Sequence, residues 1–289
     1  MQRKSNNRTI RLQTSDCQIK QLHSSRFQDN RLKSVSLKSV GLMVSLLFLL
    51  VSCQPAGTAR LMSYNIRNGI GMDNQRDLQR VADVIRAYAP DVVAVQEVDS
   101  MTARSGQRDV LGELATLAGM IPVYAPAIDF DGGKYGVGIL CREKPLSVER
   151  RALPGREERR TVVAAEFRNY VFACTHLSLT EADRMLSLPI LTEMASRIPD
   201  KPFYLAGDFN AEPGEDFIQS LTETFVILTD TTVRTYPADV PDITIDYIVC
   251  HKDRLTDYPK KSSIFNLPSS ISKASDHRPV YTDITYRTK

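Results

Sequence analysis

The chain has 289 residues, of which 42% are hydrophobic and 25% are charged. This length and apolar content suffice for the core of one large α/β domain or of two smaller ones. The formal net charge is +3, but nine of the 37 basic residues and only two of the 34 acidic residues lie in residues 1–52. Residues 53–289 therefore hold 28 basic and 32 acidic residues, a net charge of −4, which argues against a strongly basic surface for nucleic acid.

Residues 1–52 have the pattern of a targeting leader. Basic residues precede an uncharged apolar run of twelve residues at 40–51. A helix of this length spans about 18 Å, which is too short for a hydrocarbon core of about 30 Å but typical of a signal peptide. The run ends in Leu50-Val51-Ser52-Cys53, which resembles the bacterial lipobox, where cleavage leaves a diacylglycerol-modified cysteine at the new N-terminus.

A lipobox implies that the protein is anchored to a membrane. Residues 53–59 would then be a tether behind the lipidated Cys53, and the protein would lie on the periplasmic or surface side of the bacterial cell envelope. The acyl chains of a lipoprotein insert far more strongly than a single myristoyl group, so the attachment would be stable. The alternative is a short transmembrane anchor with an incidental cysteine.

From residue 60 onward, segments with strand and helix patterns alternate. Residues 77–88 place apolar side chains at helical spacing, and Pro90 follows their end. The predicted helices are 77–88, 111–117 and 181–198, and the predicted strands are 61–64, 92–95, 136–141, 161–167, 170–175, 203–206, 225–228, 246–250 and 279–284. Arg168-Asn169 alone separate two of these strands, which predicts an antiparallel hairpin beside the βα units. We therefore expect a mixed sheet in a single domain over 60–289.

Three cysteines remain after the leader and the lipobox are set aside. Cys141, Cys174 and Cys250 each lie in an apolar stretch. An odd number without close pairing argues against a disulfide framework and against a cysteine metal site. We expect them to be small buried hydrophobic residues.

Polar side chains lie at the ends of many of these strands. They are Asn65, Glu97, His176, Asp208, Asn210, Asp246, Asp276 and His277. Each one alone has an ordinary explanation as a turn residue, a solvated charge or a strand-end cap. Strand ends at one edge of a sheet bring distant residues into one crevice, so carboxylates, amides and histidines gathered there indicate a chemical site.

Six short motifs around these residues follow one order along the chain. They are Ser63-Tyr-Asn-Ile-Arg67, Val95-Gln-Glu-Val98, Thr175-His-Leu177, Gly207-Asp-Phe-Asn210, Ile245-Asp-Tyr-Ile248 and Ser275-Asp-His-Arg-Pro279. Together they resemble the endonuclease/exonuclease/phosphatase superfamily, which includes DNase-I-like nucleases and phosphatases. The resemblance covers 60–289 and implies a four-layer α/β sandwich, with two mixed β-sheets packed face to face and helices outside.

The resemblance and the chemistry of phosphate esters together imply a metal site. Glu97 is the expected principal ligand of Mg²⁺, because this hard ion prefers carboxylate and water oxygens. Asn65 and Asp276 are expected beside it as further or water-mediated ligands. The thiolate- or imidazole-rich pattern of a zinc site is missing, so Mn²⁺ is the alternative to Mg²⁺.

Hydrolysis also requires groups that bind the phosphoryl oxygens and activate water. By resemblance, Asp246 and His277 form an Asp–His pair that contacts the scissile phosphate or helps to activate water. Asp208 would position or deprotonate the water, and Asn210 would hydrogen-bond a phosphoryl oxygen. His176 would be a second phosphate contact or the acid for the leaving oxygen. The sequence leaves the identity of the general base open.

The pattern of residues 96–109 resembles a subgroup of the superfamily. This subgroup includes the C-terminal domain of fungal GPI-lipid-remodelling (calcofluor white hypersensitivity) proteins. Within the pattern, Arg104 is a candidate to clamp a substrate phosphate through both arms of its guanidinium. An ion pair with Asp99 or Asp109 is the alternative.

Other charged or aromatic segments carry weaker signals. Tyr135 resembles the phosphate-facing tyrosine of the family and is a further catalytic candidate. The charge runs at 150–154 and 156–160 are expected to be solvated strand edges and loops.

These patterns predict a metal-dependent hydrolase of phosphate esters, of the phosphodiesterase or phosphatase type, that acts as a monomer. Lipid anchoring and the subgroup resemblance favour a lipid, sugar or other small phosphoester as substrate. A DNase-I-like endonuclease is the alternative, although the net charge of −4 and the absence of tryptophan do not favour nucleic acid. A surface lipoprotein that binds a phosphorylated ligand without turnover is a second alternative.

The lipobox prediction can be tested directly. Cys53→Ser removes the acceptor sulfur, so we expect the protein to leave the membrane fraction and to incorporate no tritiated palmitate. Membrane partitioning and labelling equal to those of the wild type would contradict the prediction.

Overall fold

The computed structural model describes residues 56–198, 200–254 and 273–287. The strands are β1 Ala56–Asn65, β2 Val92–Ser100, β3 Ile121–Phe130, β4 Gly133–Cys141, β5 Ser147–Leu153, β6 Arg160–Glu166, β7 Val171–His176, β8 Phe203–Asp208, β9 Phe225–Ile227, β10 Asp246–His251 and β11 Val280–Arg287. The helices are α1 Leu78–Tyr88, α2 Val110–Ala118, α3 Glu181–Ser196 and α4 Asp216–Thr224, with short 3-10 turns at Arg67–Gly69 and Lys252–Arg254. No helix in this part of the chain is long and apolar enough to cross a membrane. The predicted leader and Cys53 lie outside the described residues.

The strands form two mixed sheets. The first has five strands in the order β11-β1-β2-β4-β3, and the second has six in the order β5-β6-β7-β8-β10-β9. Each sheet contains one parallel pair, β1 with β2 and β7 with β8, and the other neighbours are antiparallel. The parallel pairs are connected through α1 and α3, as a parallel crossover requires. The antiparallel pairing of β6 with β7 confirms the predicted hairpin.

Side chains alternate across both sheets and define four layers. Leu61 of β1 belongs to the core between the sheets, whereas the next residue, Met62, packs with α1 and α2. In the second sheet Val163 faces the first sheet, and its neighbour Val162 packs with α3 and α4. Both faces of each sheet are therefore covered, and the strands are apolar on both faces. This order of helices, sheet, sheet and helices confirms the predicted four-layer α/β sandwich.

Local signals determine the ends of α1. The side chain of Asp77 accepts hydrogen bonds from the backbone N–H of Gln79 at 2.9 Å and of Arg80 at 3.2 Å, which satisfies donors that a helix start leaves unpaired. After the last turn Ala89 adopts a left-handed conformation with φ of 49°, and Pro90 follows. The predicted helix 77–88 is confirmed within one residue.

The three cysteines of the folded region lie in the core between the sheets. Cys141, Cys174 and Cys250 are free and buried. Their apolar surroundings confirm the expectation that they act as small hydrophobic residues.

The sequence pattern does not predict β3, β5 or α4. β3 contains Pro122 and Pro126, which cannot donate ladder hydrogen bonds, and it tolerates them because it lies at the edge of its sheet. β5 also lies at the edge of its sheet, and its charged side chains are exposed or half-buried. Both strands form because a partner strand is available, and neither shows the alternation on which a prediction depends.

β1 begins earlier than the predicted domain boundary at residue 60. The predicted tether 53–59 includes residues 56–59, which instead continue β1 and pair with β11 as far as Arg287. Its sequence, Ala-Gly-Thr-Ala, has no hydrophobic alternation, so pairing with β11 decides its conformation. The first sheet therefore includes Ala56, three residues after Cys53 in the sequence.

Strands β7 and β8 approach closely where Gly207 pairs with Thr175. A Cβ at Gly207 would lie 2.1 Å from the carbonyl oxygen of Thr175. We therefore expect Gly207→Ala to push the strands apart and to lower the free energy of unfolding by about 1–3 kcal/mol, measured by urea unfolding. Gly214→Ala is the control, because a Cβ there meets no atom within 4 Å. An equal effect of the two substitutions would contradict the role assigned to this close approach.

Candidate active site

The carboxyl-terminal ends of both parallel pairs open on one cleft of about 410 Å³. The first pair supplies Asn65 and Glu97, and the second supplies His176 and Asp208. The cleft is lined by Glu97, Tyr135, Glu158, Arg160, His176, Leu179, Asp208, Asn210, Tyr236, Ile243, Ile245, Asp276 and His277. Asn65 and Asp246 contact these lining residues through hydrogen bonds. The fold thus gathers the strand-end residues that the sequence singles out.

The amide of Asn65 binds groups from both sheets. Its Nδ2 donates to Glu97 Oε1 at 3.2 Å and to Asp208 Oδ2 at 3.1 Å, and it lies 3.4 Å from His277 Nε2. Its Oδ1 accepts the backbone N–H of Arg67 at 3.1 Å. Because a backbone N–H can only donate, this contact fixes the orientation of the amide. Asn65 therefore holds the two carboxylates, and its oxygen faces away from them.

Glu97 reaches the cleft from a β-bulge. Between Val95 and Val98, β2 has two residues opposite the single Val137 of β4. Glu97 has φ of 59°, a left-handed conformation that costs a non-glycine residue of order 1 kcal/mol. Bulges redirect side chains and occur beside active sites. The bulge therefore turns the carboxylate of Glu97 out of the alternation of β2 and into the cleft.

Asp208 lies at the centre of the polar contacts. Its Oδ2 lies 3.5 Å from His176 Nε2 and 3.7 Å from His277 Nε2, in addition to the bond from Asn65. Its Oδ1 accepts the backbone N–H of Asn210 at 2.9 Å, and the Asn210 side chain donates to the carbonyl of Leu177 at 2.9 Å. These bonds hold the turn after β8 against the end of β7.

The two histidines carry different charges. Burial lowers the pKa of His176 to about 4, although Asp208 opposes this change. Burial also disfavours the charged form of His277, but Asp246, whose Oδ2 lies 3.0 Å from Nδ1, outweighs it together with Asp208 and raises the pKa to about 10. At neutral pH the cleft therefore contains one neutral imidazole and one imidazolium.

The segment that carries Asp276 and His277 is tied to the end of β1. The hydroxyl of Ser275 donates to the carbonyl of Asn65 at 2.7 Å and accepts the backbone N–H of His277 at 3.3 Å. Arg67 Nε lies 3.4 Å from Asp276 Oδ2. The serine of the predicted motif therefore positions its two functional neighbours.

Tyr135 lines the cleft, but Arg104 does not. The Arg104 guanidinium makes two hydrogen bonds of 2.8 Å to Asp99 and one of 2.6 Å to Asn68 Oδ1. Its Cζ lies 4.4 Å from the ring centroid of Phe130 and 5.3 Å from that of Tyr135. The structure therefore has the alternative arrangement for Arg104, the ion pair with Asp99. The two guanidinium nitrogens that would clamp a phosphate, Nε and Nη2, are already bonded to Asp99.

The sequence does not indicate three residues that line the cleft: Glu158, Arg160 and Tyr236. Arg160 is 6% exposed, so the expectation that the run 156–160 is solvated is wrong at its last residue. It is buried because β6 begins there. The ring of Tyr236 lies 4.8 Å from that of His277. Tyr236 belongs to a loop without apolar periodicity, so no sequence signal identifies it.

The carboxylates of the cleft fit a hard divalent cation. Burial raises the pKa of Glu97, and Asp276 adds to this effect against the hydrogen bond from Asn65. A cation beside Glu97 and Asp276 would relieve the cost of keeping both ionised. Asn65, expected beside Glu97 as a further or water-mediated ligand, turns its amide nitrogen toward Glu97 in this structure, and a ligand role for it stays a prediction.

A second group of possible ligands has a different role. One ligand atom from each of Asp208, Asp246 and His277 lies within 4.8 Å of the others. His277 Nδ1 lies 3.0 Å from Asp246 Oδ2, and its Nε2 lies 3.7 Å from Asp208 Oδ2. This group is therefore a hydrogen-bonded Asp–His unit facing Asp208.

A sandwich of this topology, with an acidic and histidine-lined cleft at its strand ends, is the architecture of the DNase-I-like proteins. The chain belongs to the endonuclease/exonuclease/phosphatase family, whose model matches residues 62–277. Members of this family are typically phosphoester hydrolases and generally depend on a divalent metal. The resemblance to the fungal subgroup stays a prediction.

The chain is similar in sequence to a bacterial protein and in fold to solved structures. It is 26% identical over 257 residues to the uncharacterized protein YbhP of Escherichia coli (strain K12), covering 78% of this chain and 95% of YbhP. A family protein from Bacteroides thetaiotaomicron has a similar fold, with a TM-score of 0.65 and 16% identity over 81% of this chain and 96% of its own. The mannosyl-6-phosphatase of Bacteroides thetaiotaomicron has a TM-score of 0.60 and 16% identity, over 78% and 98% of the chains.

The charge of His277 depends on Asp246. Asp246→Asn removes the negative charge that opposes burial, so we expect the pKa of His277 to fall from about 10 to the usual value of about 6.5 or below. The chain has only four histidines, and NMR titration of their ring protons measures the change. Asp129→Asn, at a side chain that is 83% exposed, is the control. A His277 pKa unchanged in Asp246→Asn would contradict the assigned cause.

Proposed function

We propose that this protein is a Mg²⁺-dependent hydrolase of small, water-soluble phosphate esters, held at the bacterial cell envelope by a lipid on Cys53. The observation that carries the proposal is the arrangement around Asp208. A neutral and a charged histidine approach the same carboxylate oxygen, at 3.5 Å and 3.7 Å, beside the carboxylates of Glu97 and Asp276. Phosphoester hydrolysis needs these three functions together: charge neutralisation, activation of water and support for the leaving oxygen.

His277 is suited to bind the phosphoryl group. Asp246 holds Nδ1–H, which leaves Nε2–H directed to the cleft beside Asp208 and Asn65. An imidazolium at this position places positive charge where negative charge builds up on the phosphoryl oxygens. Because its pKa is about 10, His277 keeps this charge throughout the physiological range.

Asp208 and His176 are suited to handle the water and the leaving group. Asp208 is held on one side by Asn65 and on the other by Asn210, so it can orient an attacking water as an acceptor. His176 is neutral, with a pKa of about 4, and its ring can hydrogen-bond the leaving oxygen. Asn210 already donates to Leu177, so we assign it to the support of Asp208 as much as to the phosphate.

The metal site would be built on Glu97 and Asp276, with Asn65 holding Glu97 in place. Bound there, Mg²⁺ would neutralise charge on the phosphoryl oxygens. The oxygen donors of Glu97 and Asp276 favour Mg²⁺ or Mn²⁺ over zinc.

The position of Cys53 argues for a soluble substrate. Ala56 begins β1 and Asn65 ends it, so the strand spans about 30 Å between the anchored end of the domain and the cleft. Only two residues separate Cys53 from Ala56. A lipid on Cys53 would therefore hold the cleft at the end of β1 that lies away from the attachment point, which favours a dissolved ester over a lipid headgroup beside the anchor. The mannosyl-6-phosphatase of similar fold is named for a sugar phosphate.

The alternatives have less support. Residues 53–289 have a net charge of −4, and the cleft contains several carboxylates, so a nuclease would lack the basic track that binds successive phosphates. A non-catalytic binding protein would have no need for the strained bulge at Glu97, or for one neutral and one protonated histidine in the same cleft. We therefore place hydrolysis of small esters first.

A panel of phosphate esters tests the proposal. We expect release of p-nitrophenol from aryl phosphates in Mg²⁺ or Mn²⁺ and none in EDTA, and we expect Glu97→Gln and His277→Ala to lower kcat/KM by at least about 100-fold. Mg²⁺ should raise the Tm of the wild type and not that of Glu97→Gln, because the variant lacks the principal ligand. Glu223→Gln, on the exposed face of α4, is the matched control.

The same panel separates the alternatives. It includes a sugar phosphate, lysophospholipid vesicles and plasmid DNA. Faster turnover of vesicles would contradict the soluble substrate, and nicking of the plasmid far above turnover of small esters would favour the nuclease. No turnover of any ester would overturn the proposed activity.

A further inference from the structure

Arg160 brings a buried positive charge to the cleft. It is the first residue of β6, it is 6% exposed, and it lines the cleft with His176 and Asp208. Removing a guanidinium from water is costly unless its donors are bonded. The partners of Arg160 therefore decide whether its charge is purely structural.

The donors of Arg160 are incompletely satisfied. Nη1 donates to Glu158 Oε1 at 2.9 Å, and Nη2 lies 3.6 Å from Glu157 Oε1. Nε is buried and has no hydrogen-bond partner among the residues that the structure describes. A buried donor without a partner carries a desolvation cost. The guanidinium thus has capacity for a further acceptor.

Its two acidic neighbours have different environments. Glu157 accepts from the hydroxyl of Ser178 at 2.6 Å and from the backbone N–H of Leu179 at 2.8 Å, so it is fixed at the start of the loop before α3. Glu158 is half-buried and lines the cleft. Burial raises the pKa of Glu158, which means that its ionised form is disfavoured at this place. Glu158 is therefore the partner that an incoming anion can replace.

Arg160 lies next to the imidazole that faces Asp208. Arg160, His176 and Tyr135 together line a narrow extension of the cleft. The charge of Arg160 adds to burial in lowering the pKa of His176, which agrees with their proximity. An anion bound between His176 and His277 would therefore have the guanidinium of Arg160 at its side.

The number of nonbridging oxygens on the phosphate group decides whether the guanidinium of Arg160 has an oxygen to bind. A phosphodiester has two nonbridging oxygens, for which His277 and a cation held by Glu97 and Asp276 would suffice. A phosphomonoester has three and carries up to two negative charges. We propose that Arg160 is a specificity-determining residue that binds the third nonbridging oxygen, in exchange for Glu158, and that the substrates are phosphomonoesters. This inference rests on the proposed function.

The experiment compares a monoester with a diester at each residue. We expect the wild type to prefer p-nitrophenyl phosphate to bis-p-nitrophenyl phosphate. Arg160→Gln should lower kcat/KM for the monoester by about 30- to 100-fold, the usual effect of a lost charge-assisted hydrogen bond, and should change that for the diester by less than about threefold. Retained diester turnover and an unchanged Tm show that the variant is folded.

Matched variants give the comparison its controls. Arg159→Gln removes the same charge from the exposed neighbour and should leave the ratio of the two substrates unchanged. Arg160→Lys keeps the charge without the fork, and we expect it to lose about tenfold of the monoester preference; this variant decides the matter if Arg160→Gln does not fold. An unchanged ratio in Arg160→Lys, or equal losses on both esters in Arg160→Gln, would overturn the proposal.

Binding of inorganic phosphate separates this inference from the proposed activity. Calorimetric titration should show affinity at least tenfold weaker in Arg160→Gln than in the wild type, whether or not any ester is hydrolysed. Glu158→Gln removes the competing carboxylate and should bind phosphate as tightly as the wild type or more tightly. Weakening in Glu158→Gln equal to that in Arg160→Gln would mean that the pair is structural and would overturn the proposal. A wild type that does not bind phosphate would overturn it as well.

Discussion

The side-chain amide of Asn65 joins the two sheets of this protein at the cleft. It lies at the end of β1 in the first sheet, and it donates both to Glu97 in that sheet and to Asp208 in the second. A buried amide must find partners for its donors and acceptor, and here the partners are the groups that the chemistry requires. The relative position of the carboxylates therefore depends on the same bonds that close the sandwich at this end.

The charges of the side chains in the cleft depend on this contact between the two sheets. Buried carboxylates lie close together, and each responds to the charge that its neighbours supply. Asp246 keeps His277 protonated, whereas burial keeps His176 neutral. The same two imidazoles in water would be nearly equivalent, so their division into a cation and a neutral base is a property of the fold. Glu97 and Asp276, the proposed metal ligands, mark where a cation would balance the remaining negative charge.

Much of this arrangement is predictable from the sequence. Period-two and period-3.6 patterns are local, so they identify α1, the strands that flank it and the hairpin of β6 and β7. The strand-end residues from Asn65 to His277 are predictable for a related reason: parallel strands bring their carboxyl ends to one edge of a sheet, and the amino ends of antiparallel neighbours such as β10 lie at the same edge. The edge strands β3 and β5 are not, because they depend on a neighbour and on no pattern of their own.

Arg104 and Arg160 show which features of this protein the sequence determined and which the tertiary structure decided. By itself the sequence determined the fold class, the family motifs and the set of acidic, amide and histidine residues at the strand ends. It left the role of Arg104 open and predicted a solvated Arg160: in the structure Arg104 is bonded to Asp99, while Arg160 lines the cleft. The reason is that an arginine's role depends on which carboxylate lies within reach and on where a strand begins. Both are set by contacts between residues that are distant in the chain.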